Sequence, residues 1–215
     1  MVTFEEIKDG IIKSLQDSSV AVSTIESLIN SGVQFVSERV RLPALDVSGS
    51  VNITSNANFV TIPSAWNYQR GLYDVISGDK RVLTVYPSIM SLRRTIGDTS
   101  EIQVGQTQAI AVVGGKLHYY KSSDSILNCR FFCNPPPLVN DTDELTCIPG
   151  GHAKILIESY VLAYLFALSE DGVEGPKTNT RFHQLMFERY MEQLDISIES
   201  GQPAPEQVRY SFWKI

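Results

Sequence analysis

The sequence predicts an α+β protein: a helical bundle formed by N- and C-terminal helices, an inserted antiparallel β-sheet making a small sandwich or barrel, and an extended C-terminal tail. Three features predict it. Apolar residues recur at helical spacing near both ends of the chain. From Val47 to about Asn134 alternation replaces that spacing, punctuated by close turns. After Gly201 a linker with two prolines leads into an alternating aromatic segment. Helices and strands are grouped rather than interleaved, which argues against an alternating α/β fold. The expected parts are residues 1–46 and 140–200 for the two halves of the bundle, 47–139 for the inserted β region, and 201–215 for the tail.

The first helix is expected from Thr3 to Leu15. Thr3 and Glu6 have capping-box spacing, each side chain satisfying a free backbone N–H. Phe4, Ile7, Ile11 and Leu15 share one face. In the second helix Ser23 and Glu26 repeat that spacing. Ile25, Leu28, Ile29, Val33, Val36 and Val40 form its apolar stripe, and Pro43 ends it, because proline disfavours helical geometry in the residue before it.

Val47, Val51 and Ile53 alternate with small or polar residues. Ser55 to Asn58 reads as a turn and Phe59 to Ile62 as the returning strand. Tyr73–Ile76 and Arg81–Tyr86 flank Ser77 to Lys80, a second hairpin signal. Ile110–Val113 and Leu117–Tyr120 flank Gly114-Gly115, a third. Ser88 to Arg94 is a short helix closed by Gly97. Leu127, Cys129, Phe131 and Cys133 share one face of a further strand. Short strands with close turns predict a small sandwich or barrel.

Pro135-Pro136-Pro137 forces an extended segment without N–H donors. Ile155 to Leu168 is apolar nearly all round, which predicts a central helix covered by several neighbours. It is shorter than the ~20 residues that cross a bilayer, and Gly172 and Gly175 are expected to end it. The last helix runs from Thr178 to Ile198, with Phe182, Leu185, Met186, Tyr190 and Leu194 on one face. In the tail, Val208, Tyr210 and Phe212 alternate with Arg209 and Ser211, followed by Trp213, Lys214 and Ile215. Two fates are open to such a segment: it folds back on its own sheet, or it adds to an edge in another subunit, with Val208, Tyr210, Phe212, Trp213 and Ile215 as anchors.

The formal net charge is −6 and the pI about 5.1. Nucleic-acid binding without sequence preference needs clustered cations to displace counterions. Lys80-Arg81 and Arg93-Arg94 are the densest pairs, and both read as solvated. The first residues carry acids where a signal peptide has bases. Cys129, Cys133 and Cys147 are an odd set in a reducing compartment and imply no disulfide framework.

Cys129, Cys133, Cys147 and His152 lack the spacing of a zinc knuckle, and the first two sit on an apolar strand face, so core packing is the expectation. His118, His152 and His183 fall in separate segments, and no nucleophile elbow or metalloprotease motif is present. Asp141, Asp143 and Glu144 read as a turn and N-cap for a short helix before Pro149. No catalytic residue, metal ligand or cofactor is expected.

Several stretches together resemble the head-to-tail adaptor (connector, neck) proteins of tailed bacteriophages. Leu28 to Leu45, LINSGVQFVSERVRLPAL, is similar to their helix followed by Leu-Pro. Phe59 to Val75 is similar to the next strand, with Ile62-Pro63 leading to an Arg and a Tyr. Ala111 to Ser122 resembles a hairpin of such virion proteins. Phe132 to Pro149 contains Pro-Pro-Leu, Asp-Thr-Asp-Glu-Leu and Ile-Pro before a long apolar helix. The resemblance implies a non-enzymatic virion subunit, assembled in the host cytoplasm. It implies a dodecameric ring between the portal protein and the next tail or nozzle component, with DNA passing through unbound and no membrane contact. A second reading is a carbohydrate- or protein-binding module of a tail fibre or baseplate, with Trp66, Tyr68, Tyr73, Tyr119 and Tyr120 as stacking surfaces.

Overall fold

A computed structural model describes residues 1–15, 20–66, 72, 74–97, 104–121, 123–170 and 177–201. The chain divides into two compact units, residues 1–44 with 135–215, and residues 45–134.

The helical unit begins with α1 (Phe4–Leu15). Its capping box forms: the Thr3 backbone N–H donates to Glu6, and the Glu6 N–H donates to the Thr3 hydroxyl. Phe4, Ile7 and Ile11 are buried. Helix α2 (Val22–Arg39) buries Ile25, Ile29, Val33 and Val36. It starts one residue before Ser23, with Ala21 as an N-cap that makes no side-chain bond. The second capping box therefore does not form, since Ser23 and Glu26 lie within helical backbone. Helix α4 (Gly150–Ser169) packs on α1, α2 and α5 (Thr178–Gly201). The Glu170 carboxylate, just past α4, accepts from the Asn179 and Thr180 N–H groups and the Thr180 hydroxyl. It thereby satisfies donors that the first turn of α5 leaves open.

The segment returning to the bundle is fastened by polar contacts. Asn30 on α2 clamps Leu138 with two hydrogen bonds, at 2.8 and 3.0 Å. Phe4 N–H donates to Asp143 O, Leu145 N–H to Val2 O, and Lys8 pairs with Asp141 and with Glu26 at 3.1 Å. Asp143 accepts from the Val139 and Asn140 N–H groups, and those bonds hold its carboxyl below the usual range. The acidic cluster is a turn, as expected. The short helix is not there, because these backbone donors are spent on the turn and on α1.

In the other unit β1 (Asp46–Ile53), β7 (Ser125–Phe132) and β3 (Asp74–Ser77) form one antiparallel sheet in the order β1-β7-β3. The second sheet has the order β2-β6-β5-β4, from β2 (Phe59–Thr61), β6 (Lys116–Tyr120), β5 (Ala109–Val113) and β4 (Thr84–Tyr86). One core lies between the sheets, with Ile53, Val75, Ile110, Leu117, Leu127 and Phe131 among its buried members. Helix α3 (Ile89–Ile96), capped by Ser88 and closed by Gly97 at φ 102°, covers the outer face of the second sheet through Leu92. β5 is thus buried on both faces, Ile110 inward and Ala109 and Ala111 toward α3.

Three pairings differ from the sequence expectation. β1 and β2 are not a hairpin: β1 pairs with β7 and β2 with β6. The second hairpin begins as expected, with the Ser77 N–H donating to Arg81 O, Ile76 bridged antiparallel to Val82 and the Leu83 N–H donating to Val75 O, but β4 then leaves for the other sheet. There it pairs in parallel with β5, so the insertion is not wholly antiparallel. The β5–β6 hairpin forms as expected, with Gly114 at φ 57° and Gly115 at φ 72°, the left-handed pair that a tight two-residue turn demands.

Gly49 on β1 leaves the slot that Trp66 fills. A Cβ there would approach the indole to 2.5 Å, and the same ring stacks on Phe131 at 4.7 Å. The Gly49→Val substitution should therefore destabilise the protein by about 2 kcal/mol through overpacking, measured by urea unfolding. An unchanged midpoint would mean that the indole is not seated in that slot.

Glu158 on α4 is packed where a side chain at Gly10 of α1 would otherwise stand. Burial pushes its carboxyl pKa up, opposed by Lys154, whose ammonium is 3.8 Å away. The folded protein keeps this proton at a pH where the unfolded chain has released it. Stability contributed by the protonated form is thus lost as pH rises from the ordinary 4.5 through the folded-state value. Glu158→Gln should raise the thermal midpoint at neutral pH and flatten that segment of the pH–stability curve, as scanning calorimetry across pH would reveal.

Candidate interaction surface

Helices α2, α4 and α5 each contribute one ring to an aromatic cluster. Tyr160 lies 5.4 Å from Phe35 and 5.6 Å from Phe187, and Phe35 lies 5.9 Å from Phe187. Close helix approach makes this possible: a Cβ on Gly32 of α2 would come within 2.8 Å of the Tyr160 ring. Arg39 places its guanidinium 4.3 Å over Phe35, a cation–π contact at the edge of the cluster. Burial raises the Tyr160 pKa, with Tyr164 adding to it.

A groove of about 440 Å³ runs over this cluster, with Tyr164, Gln184 and Glu188 on its walls. A second of about 840 Å³ shares Ala167 and Gln184 with it and continues along Arg181, Phe182 and Leu185. Together they make a broad surface along α4 and α5 with large exposed apolar groups: Phe182 is 56% exposed, Leu185 57% and Tyr164 49%; Leu168, also exposed, lies outside both grooves. Charged groups stand at the margins, among them Arg39, Arg181 and Glu188. An apolar centre with a polar rim is the anatomy of a protein-binding patch.

The sequence placed Phe182 and Leu185 on the buried face of the last helix, and here it is corrected. The residues α5 buries are Thr180, Phe187, Leu194 and Ile198, with His183 stacked on Phe166 at 5.4 Å. The buried residues Thr180, Phe187, Leu194 and Ile198 follow seven- and four-residue steps, a stripe readable in the sequence had Phe187 been taken as its centre. Helix α4 is likewise covered on only part of its circumference, since Leu168 and Tyr164 face outward.

The anchors named in the tail, Val208, Tyr210, Phe212, Trp213 and Ile215, lie outside the described residues, as do Gly172 and Gly175. Within the helical unit His152 and His183 are not brought together. His118 is on β6, while His152 and Phe166-stacked His183 mark opposite ends of α4, about 21 Å apart along the axis. Burial lowers the pKa of both His118 and His183. Cys129 packs in the core between the sheets, where burial pushes its thiol up to about 12. Cys147 is buried in the helical unit. The Cys129 thiol, so hard to ionise, is a packing group rather than a ligand or nucleophile. Of the stacking surfaces considered for sugar binding, Trp66 and Tyr119 are consumed by the core, and Tyr68 and Tyr73 lie outside the described residues.

Residues 2–209 match the sequence model of one protein family, described as SU10 adaptor protein. A search of curated proteins finds no match.

Replacing Phe182 and Leu185 together by Ser should cost under about 1 kcal/mol of stability, since both are exposed, while abolishing any association through this surface. Phe187→Ala, one turn away, should cost about 3 kcal/mol because its ring is buried. Chemical denaturation separates the two, and equal costs would mean that α5 is rotated from the orientation described.

Proposed function

The chain belongs to the SU10 adaptor protein family, and from that premise we propose that this phage structural adaptor works as a head-to-tail subunit. Copies form a ring, twelve in number by the resemblance, which joins the portal to the next tail or nozzle component in the virion neck and surrounds the DNA path. Assembly takes place in the host cytoplasm, and the subunit performs no catalysis.

The observation that carries this reading is the apolar α4–α5 surface. A side chain such as Phe182 or Leu185 forfeits about 1.5–3 kcal/mol by staying in water rather than being buried. Three large groups left uncovered on this surface, Tyr164, Phe182 and Leu185, favour a protein neighbour. A ring requires a heterologous contact, so this surface meets a different face of the next copy. The aromatic tail then supplies the longer reach, docking Val208, Tyr210, Phe212, Trp213 and Ile215 on the portal. The two surfaces have different partners and can be separated by mutation.

The reading as a carbohydrate-binding module of a fibre or baseplate has less support, because Trp66 and Tyr119 spend their rings on core packing. The net charge of −6 fits a conduit subunit, which must let DNA slide rather than hold it.

Deleting residues 208–215 should leave the circular-dichroism spectrum and unfolding midpoint unchanged and remove co-sedimentation with the portal. Full co-sedimentation of the truncated chain would defeat tail docking. In a gel-shift titration at physiological salt the intact protein should not bind duplex DNA tightly, and a strong shift would contradict a sliding conduit.

A further inference from the structure

The apolar side of α5 continues beyond the two grooves. Phe182, Leu185 and Ile196 are all exposed, and separations of three and eleven residues put them on one face of the helix. That face runs from the α4–α5 surface toward Gly201, where α5 ends. Residues 202–215 follow directly. Pro203 and Pro205 keep the helix from continuing, and Gly201 gives the backbone the freedom to reverse. Beyond the prolines, Val208, Tyr210 and Phe212 fall on one side of an extended segment, with Arg209 and Ser211 on the other.

The lengths agree. An extended chain advances about 3.3 Å per residue, so Tyr210 and Phe212 reach about 23 and 30 Å from Pro203. A helix rises about 1.5 Å per residue, so Leu185 and Phe182 lie about 24 and 29 Å back from Gly201 along α5. On the way, Pro205 passes Ile196. The charges agree as well. Arg209 comes level with Glu188, each about 20 Å from the reversal. Glu188 stands on the groove wall and makes no ion pair among the described residues.

We propose that in the free protein the C-terminal segment of the same chain turns back along α5 and seats Tyr210, Phe212 and Trp213 on the α4–α5 surface. Aromatic rings laid on Phe182 and Leu185 take apolar area out of water on both sides of the contact. The short linker keeps the segment at a roughly millimolar effective concentration beside its groove. Such a contact is a local equilibrium that opens before the bundle unfolds, so neither circular dichroism nor the unfolding midpoint reports it. It lies within one chain and needs neither portal nor ring, and so goes beyond the adaptor reading. The two surfaces which that reading gives to different partners cover one another until a partner draws the segment away.

The test compares, by heteronuclear NMR, the full chain with a chain ending at Gln207. Removing residues 208–215 should shift the amide signals from Phe182 to Glu188 and leave those of the strand unit in place, equally at every protein concentration. In the full chain the Trp213 indole N–H should be shielded from a soluble paramagnetic agent by about threefold relative to the Phe182→Ser, Leu185→Ser double variant, as befits a segment docked most of the time. Trp66, the other tryptophan, stacks on Phe131 in the strand unit and serves as the reference. Glu188→Arg should reduce the shielding, and adding Arg209→Glu should restore it. Identical spectra with and without residues 208–215, or an indole equally open in the full chain and the double variant, overturn the proposal. Shifts that grow with protein concentration assign the segment to a second copy and overturn it too. Either failure leaves co-sedimentation with the portal untouched, because that experiment reads the segment with its partner present.

Discussion

The ladder between β1 and β7 is the constraint on which the strand unit depends. The strands that enter and leave the insertion pair along eight residues, from Asp46 opposite Phe132 to Ile53 opposite Ser125, and the Leu45 carbonyl accepts from the Cys133 N–H just beyond. About seventy residues intervene between the two strands. Closing a loop of that length costs entropy that grows only slowly with size, and an eight-residue ladder with Val51, Leu127, Cys129 and Phe131 on its buried face offsets it. With its ends tied together, the insertion can vary in its loops while the helical unit keeps its own hydrogen bonds.

The helical unit solves the matching problem from its side. Its returning segment carries no helix and no sheet, so its backbone groups need partners from elsewhere. Asn30 supplies both a donor and an acceptor to Leu138, Asp143 supplies acceptors to Val139 and Asn140, and Val2, Thr3 and Phe4 at the start of α1 meet Asp143, Glu144 and Leu145. Lys8 joins α1, α2 and this segment through Glu26 and Asp141, and its pKa rises because Asp141 accepts its hydrogen bond. The acidic cluster that reads as a turn in the sequence is therefore spent on holding a chain crossing.

What the sequence disclosed follows the range of the interactions involved. The Thr3–Glu6 cap, the short helix closed by Gly97, and the Gly114-Gly115 turn are settled within a few residues, and all were legible; that Ser88 caps the helix rather than starting it was not read. Ser23–Glu26 has the same letters as a cap but lies within α2, because the helix already begins at Val22 with Ala21 as its N-cap. Ser55 to Asn58 carries turn chemistry whether the chain pairs with itself or crosses to a second sheet, so β1 and β2 read as a hairpin. The parallel pairing of β4 with β5 depends on where α3 lies, and no local pattern records it. In α5 the choice between the Phe182 and Phe187 faces is made by Tyr160 and Phe35 on other helices. That face choice is also what turned a presumed core stripe into the candidate interaction surface.

Exposed apolar groups and buried ones on a single helix impose opposite demands, and α5 meets both. Its Phe187, Leu194 and Ile198 side hold the bundle, while its Phe182 and Leu185 side remains in water. A helix free to rotate would turn the second set inward. It is held by the aromatic triangle at one level and by Glu170 on its first turn, whose carboxyl stays low in pKa because the Thr180 hydroxyl and the N–H groups donate to it. The Glu170 cap and the Phe35–Tyr160–Phe187 contacts thus do more than stabilise the fold: they fix which residues are presented. A surface set by a locked helix rotation is the same in every copy of the chain, and on the proposed reading it would meet a partner without a large change on binding.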